Sequence, residues 1–252
     1  MRDRGLLSRC LTLVIALCAT AWSVTALLSL NNASKLDAVA TRILSGEAFD
    51  AATLVQFMPE LDAAERREPC SPLELHSATI VRLRLYEEAV NASTVTAADE
   101  RFRALRTSTE IALKCVPTDS FLWFIRYWTS VAQGGNSANQ IENLAMSYRL
   151  GRNEAWIALR RNAYALTVHD ILPTDIAAMA RAEFASLVDS GFISVAAQNL
   201  RVAGWPIRDQ LISELANVRP THLLILDRLL RDEGIMLAIP RVPQREFRPW
   251  RN

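Results

Sequence analysis

The sequence predicts an all-α chain: an N-terminal membrane-spanning helix followed by a solenoid of helical hairpins. Three observations predict it. Apolar residues beyond about residue 50 recur every three or four positions. Proline repeatedly opens these runs and glycine repeatedly closes them. Glycine is otherwise scarce, 8 in 252 residues, while Ala, Leu and Arg abound, a composition that suits helices better than turn-rich sheets.

The first element is the anchor. Arg2, Arg4 and Arg9 precede a stretch without charge from Cys10 to Ser34. As a helix, residues 10–30 reach about 32 Å, against a hydrocarbon core of roughly 30 Å. The basic flank keeps residues 1–9 in the cytoplasm and sends the rest across. A cleaved leader is the competing reading, since Ala19-Thr20-Ala21 and Val24-Thr25-Ala26 resemble small-residue cleavage sites. Its apolar stretch is long for a leader, which favours the anchor. A lipoprotein site fails because Leu17 precedes Cys18. Four segments follow: the flank 1–9, the anchor 10–30, a periplasmic helical-repeat domain 31–240 and an extended tail 241–252. The expected location is a bacterial inner membrane, crossed once.

Charge narrows the partners. Net charge is +1, with 28 Lys and Arg against 27 Asp and Glu. No broad basic stripe exists to neutralise phosphates, which excludes nucleic acid as a partner. Cys70 and Cys115 are the two cysteines outside the anchor. An oxidising compartment lets them pair across a loop of about 45 residues; two unrelated buried thiols is the alternative.

Helices are then expected in order. One continues from residue 31 to a turn at Ser45-Gly46. Asp50 caps the next, whose face is Leu54, Phe57, Met58 and Leu61. "SPLE" opens another, with Ser71 as cap, Pro72 in the first turn and Glu74 closing a capping box; its expected face is Leu73, Ile80, Leu83 and Val90. After "NASTVT" a helix carries Phe102, Leu105, Thr109 and Ala112. "FLWFIRYWTSVA" is too short to cross a bilayer and holds Arg126, so it is a core helix. Ile141, Leu144, Ala145 and Tyr148 form the next stripe. Further helices are expected over 174–189, 192–203, 207–217 and 221–233.

The joint in "SYRLGRNEAWIALRRNAYAL" reads as a seam between helices. Gly151 supplies a left-handed stop, Asn153 caps the next helix, and Trp156, Leu159, Ala163 and Leu166 face inward. Arg152, Arg160 and Arg161 form a candidate basic patch for a partner.

Residues 121–154 resemble one tetratricopeptide unit, with Phe124 and Tyr127 at large positions, Gly135 at the turn, and Ile141, Leu144 and Tyr148 on the second helix. Residues 87–120 resemble a weaker unit through Ala112 and Pro117. Trp128, Gln140, Ser147 and Arg152 depart from the pattern. The resemblance implies a right-handed solenoid that binds proteins. The "PTDSFLWF" to "LRRN" block and the "EFRPW" end are similar to small proteins of bacterial envelope polysaccharide clusters, which implies a part in exopolysaccharide or O-antigen synthesis and export.

Catalytic signatures are missing from the sequence. His76, His169 and His222 lack metal-ligand spacing, and neither GxSxG nor a phosphate-binding glycine motif occurs. The expectation is therefore no catalytic residue, no cofactor and no metal. The expected function is a scaffold or accessory subunit that binds membrane proteins of its own envelope complex and the bilayer through 10–30. A glycan-cleaving enzyme using a carboxylate pair is the alternative. The tail alternates Arg245, Phe247, Arg248, Trp250 and Arg251, a strip suited to acidic lipid headgroups, sugars or a partner's groove, or to packing back over the helices.

Overall fold

The structure is a computed structural model that describes residues 13–23, 35–93, 95–135, 137–152 and 154–243. Every regular element among the described residues is helical. Helix α1 covers 13–23, and all its side chains are exposed; Leu13, Val14, Ile15, Leu17 and Trp22 stand between 56% and 76% open. Among the described residues no helix is long and apolar enough to cross a membrane. The expected span 10–30 lies partly outside the described residues, and the flank 1–9 wholly so. The chain divides into two compact units, Met1–Pro117 and Thr118–Asn252.

The first unit continues with α2 (35–44), α3 (Ala51–Val55), α4 (Met58–Arg66), α5 (Pro72–Asn91) and α6 (Val95–Cys115). Asp50 caps α3 as expected, its Oδ1 accepting the Thr53 N–H at 2.6 Å. Leu36, Val39, Leu54, Leu61, Ala78, Val81 and Leu85 form one core. α5 differs from expectation. Leu73 and Val90 are about half exposed, whereas seven consecutive residues, Ser77 to Leu83, are buried. The cause is position: α3 and α4 pack on α5, and α6 pairs along its length, so no single stripe faces inward. The capping box also fails. Ser71 makes no side-chain cap, and Glu74 turns inward to Arg67. Buried Arg82 ties α5 to α4 through Glu65 at 2.9 Å and Asp62 at 2.8 Å. Cys70 and Cys115 form a disulfide, with Cα atoms 6.2 Å apart.

The second unit holds α7 (Ser120–Ala132), α8 (Ser137–Leu150), α9 (Ala155–Thr167), α10 (Thr174–Asp189), α11 (Ile193–Val202), α12 (Arg208–Glu214) and α13 (Pro220–Asp232). Asp119 caps α7 by accepting from the N–H groups of Phe121 and Leu122. Phe121, Leu122, Phe124, Ile125 and Tyr127 are buried, so α7 is the core helix expected. It pairs with α8, whose Ile141, Leu144, Ala145 and Tyr148 all face inward. α10 lies against α8, α9, α11, α12 and α13 and carries Phe184, Leu187 and Val188 into the main core. Gly191 and Gly234 end their helices with φ of +89° and +78°. The expected helix 207–217 is α12 flanked by 3₁₀ turns at Trp205–Ile207 and Leu215–Asn217.

Candidate functional site

The chemistry of the second unit converges where α8, α9 and α10 meet. The inner face of α9 lies round from the expected one: Ile157, Ala158, Arg161, Asn162 and Ala165 are buried, whereas of the expected set Leu166 is buried and Trp156, Leu159 and Ala163 are half-buried. Spacing of three and four links these five as well as it links the expected set. The apolar reading missed them because two of the five are polar.

Arg161 is wholly buried. Its Nη1 donates to the Ser147 carbonyl at 2.8 Å and the Ser147 hydroxyl at 3.0 Å. Its Nη2 donates to the Gly151 carbonyl at 2.9 Å and to Glu183 Oε1. The guanidinium thus gives the Gly151 carbonyl a donor and the Ser147 carbonyl, which already accepts the Gly151 N–H at 3.1 Å, a second one. It also lies over the Tyr148 ring, 3.9 Å from the centroid. Glu183 Oε2 accepts from the Tyr148 hydroxyl at 2.6 Å. Asn162 Nδ2 donates to the Ala180 carbonyl at 2.9 Å, and Asn199 Nδ2 donates to Asn162 Oδ1 at 3.1 Å, which carries the network into α11.

Beside this network opens a cavity of about 310 Å³, lined by Tyr148, Arg152, Glu154, Met179, Glu183 and Phe192 among others. Glu183 enters the wall with both oxygens already bonded. Glu154 Oε1 accepts from the Ser120 hydroxyl at 2.8 Å.

No known family, curated protein or solved structure matches this chain.

The expected site residues separate. Arg152 is exposed at the cavity and Arg160 is exposed on α9, but Arg161 is interior, so the three share no surface. The tail residues Arg245, Phe247, Arg248, Trp250 and Arg251 lie outside the described residues, as does Asn153. His169 Nε2 sits 3.0 Å from Arg181 Nη1, and His222 Nδ1 sits 3.0 Å from the Val188 carbonyl. No three His, Cys, Asp or Glu among the described residues gather as metal ligands.

Gly151 serves the seam differently from expectation. It is not among the glycines with positive φ. It is needed for room: an added Cβ would lie 2.3 Å from Ser120 Oγ and 2.5 Å from Ser120 Cβ. Gly151→Ala is expected to cost about 1–3 kcal/mol, the usual range for overpacking. A chemical melt without change in midpoint would show that the joint has slack.

Tyr148 gives the site a pH signature. Desolvation, then the Glu183 charge, hold its hydroxyl well above the ordinary value of 10.0. The folded state therefore keeps a proton that the unfolded chain releases. This contribution is present below about pH 10 and lost as pH rises beyond it. Tyr148→Phe should flatten the alkaline fall in stability, read as melting temperature across that range.

Proposed function

We propose that this protein is a non-catalytic accessory scaffold, anchored by residues 10–30 in a bacterial inner membrane with its helical units on the periplasmic side. There it holds membrane proteins of envelope polysaccharide machinery together. One observation carries the non-catalytic part. The buried groups best suited to chemistry, Arg161, Glu183 and Tyr148, are consumed in joining α8, α9 and α10. A glutamate with both oxygens engaged by a guanidinium and a phenol stabilises charge; it does not shuttle protons.

Two further facts support the location. Thr20 and Ser23 return their hydroxyls to the carbonyls of Ala16 and Ala19 at 2.9 and 2.8 Å, so both hydroxyls are satisfied within α1. The Cys70–Cys115 bond suits an oxidising compartment. Paired helices of the kind formed by α7 and α8 build extended binding surfaces when stacked as a solenoid.

Tagged full-length protein, purified from membranes, should bring down polysaccharide polymerases or exporters. A reporter fused after Asn252 should be active only outside the cytoplasm; activity inside reverses the topology. The glycan-cleaving alternative draws on Glu154 and Glu183 in one cavity wall. Glycan turnover lost in Glu154→Gln or Glu183→Gln, with the fold intact, would replace the scaffold with the enzyme.

A further inference from the structure

The first unit contains a second polar site. A cavity of about 260 Å³ is lined by Leu36 of α2, by Glu60, Ala63 and Ala64 of α4, by Arg67 just beyond it, and by Glu74 of α5. Glu74 is 1% exposed, and Arg67 Nη1 donates to its Oε1 at 2.6 Å. Among the described residues, Oε2 of Glu74 has no hydrogen-bond partner, and neither has Oε2 of Glu60. Buried acceptors are nearly always satisfied, because an empty one keeps its desolvation cost. Burial accordingly pushes the Glu74 carboxyl above its ordinary range, with Arg67 only partly offsetting it.

With both carboxyls ionised, the described lining carries two negative charges and one positive, one positive charge short of balance. The identity of the missing cation follows from the geometry. A divalent metal needs about six oxygens and would sit beside Arg67, which repels it. A second guanidinium presents a planar fork that matches both oxygens of one carboxylate, whereas the free oxygens here belong to two. An ammonium carries three donors pointing apart. The volume falls just below the range of about 300–1,000 Å³ usual for small-molecule sites, so the ligand is the size of a side chain.

We propose that this cavity binds a primary alkylammonium group, which donates to Oε2 of Glu60 and of Glu74 while its carbon chain rests on Leu36, Ala63 and Ala64. A free amine and a lysine side chain of another protein offer the same chemistry. The scaffold stands or falls separately, since none of these residues enters it.

Calorimetric titration of the full-length protein in detergent tests the site. Butylammonium should bind saturably at millimolar concentration, and tetramethylammonium, which has no N–H, should not bind at matched ionic strength. Glu74→Gln and Glu60→Gln should each weaken butylammonium about tenfold or more, the scale of one charge-assisted hydrogen bond. Glutamine still accepts from Arg67, so the fold should persist, with circular dichroism as the check. Equal responses to the two cations, affinity unchanged in both variants, or no saturable heat would each overturn the proposal. Nα-acetyl-lysine N-methylamide names the source: binding as tight as butylammonium assigns a lysine side chain, and tenfold weaker binding assigns a free amine.

Discussion

Arg161→Met will destabilise the second unit by about 3–5 kcal/mol, the cost of leaving a buried carboxylate without its cation. Glu183 is only 6% exposed, and its ion pair is with Arg161. The Gly151 carbonyl loses a donor at the same time, while the Ser147 carbonyl keeps the Gly151 N–H. Glu183→Leu added to Arg161→Met removes the stranded charge, and the double variant should recover more than half of the loss. Urea unfolding of the full-length protein, followed by tryptophan fluorescence, measures both. A loss below about 1 kcal/mol in the single variant would place the pair in water, where such bonds contribute little. Arg149–Glu142, with side chains 41% and 69% exposed, provides that comparison within the same unit.

Replacing Cys70 and Cys115 by alanine is the second large effect. The bond closes a loop of 45 residues. In the chain-entropy account such a closure contributes about 4 kcal/mol by restricting the unfolded chain. Reductant should lower the melting temperature of the natural protein and leave the double alanine variant unchanged. Non-reducing mass spectrometry should recover a Cys70–Cys115 peptide from protein isolated from its native cell. Free thiols at both positions would show that the protein matures in a reducing compartment.

The helices were legible because their signals are local. Asp50 caps α3 where expected, and the stripe Ile141, Leu144, Ala145 and Tyr148 is buried as its spacing predicts. The pairing of the two cysteines was one of two readings open to the sequence, favoured because they are the two beyond the expected span 10–30. The polar centre was harder to see because its bonds join residues distant in sequence. Arg161 lies 22 positions from Glu183, and neither carries a local motif. A fainter signal existed. Each charge interrupts an otherwise apolar helical face, Arg161 among Ile157, Ala158 and Ala165, and Glu183 among Ile176, Ala180 and Leu187. Two opposite charges, each alone on the inner face of adjacent helices, are candidates for one buried pair. Glu74 escaped for a related reason: its place three residues after Ser71 fitted a capping box, but burial against Arg67 outweighed that local role. Gly151 shows the same limit, since sequence marked the glycine but could not tell conformational freedom from the nearness of Ser120.

The disulfide also decides how this chain carries load. Its sulfurs bridge the start of α5 and the end of α6, so tension applied between the N-terminus and the second unit passes through a covalent bond. The long hairpin between them hangs outside the line of force. Some 45 residues, about 150 Å of slack at full extension, are withheld from that pull while the bond holds.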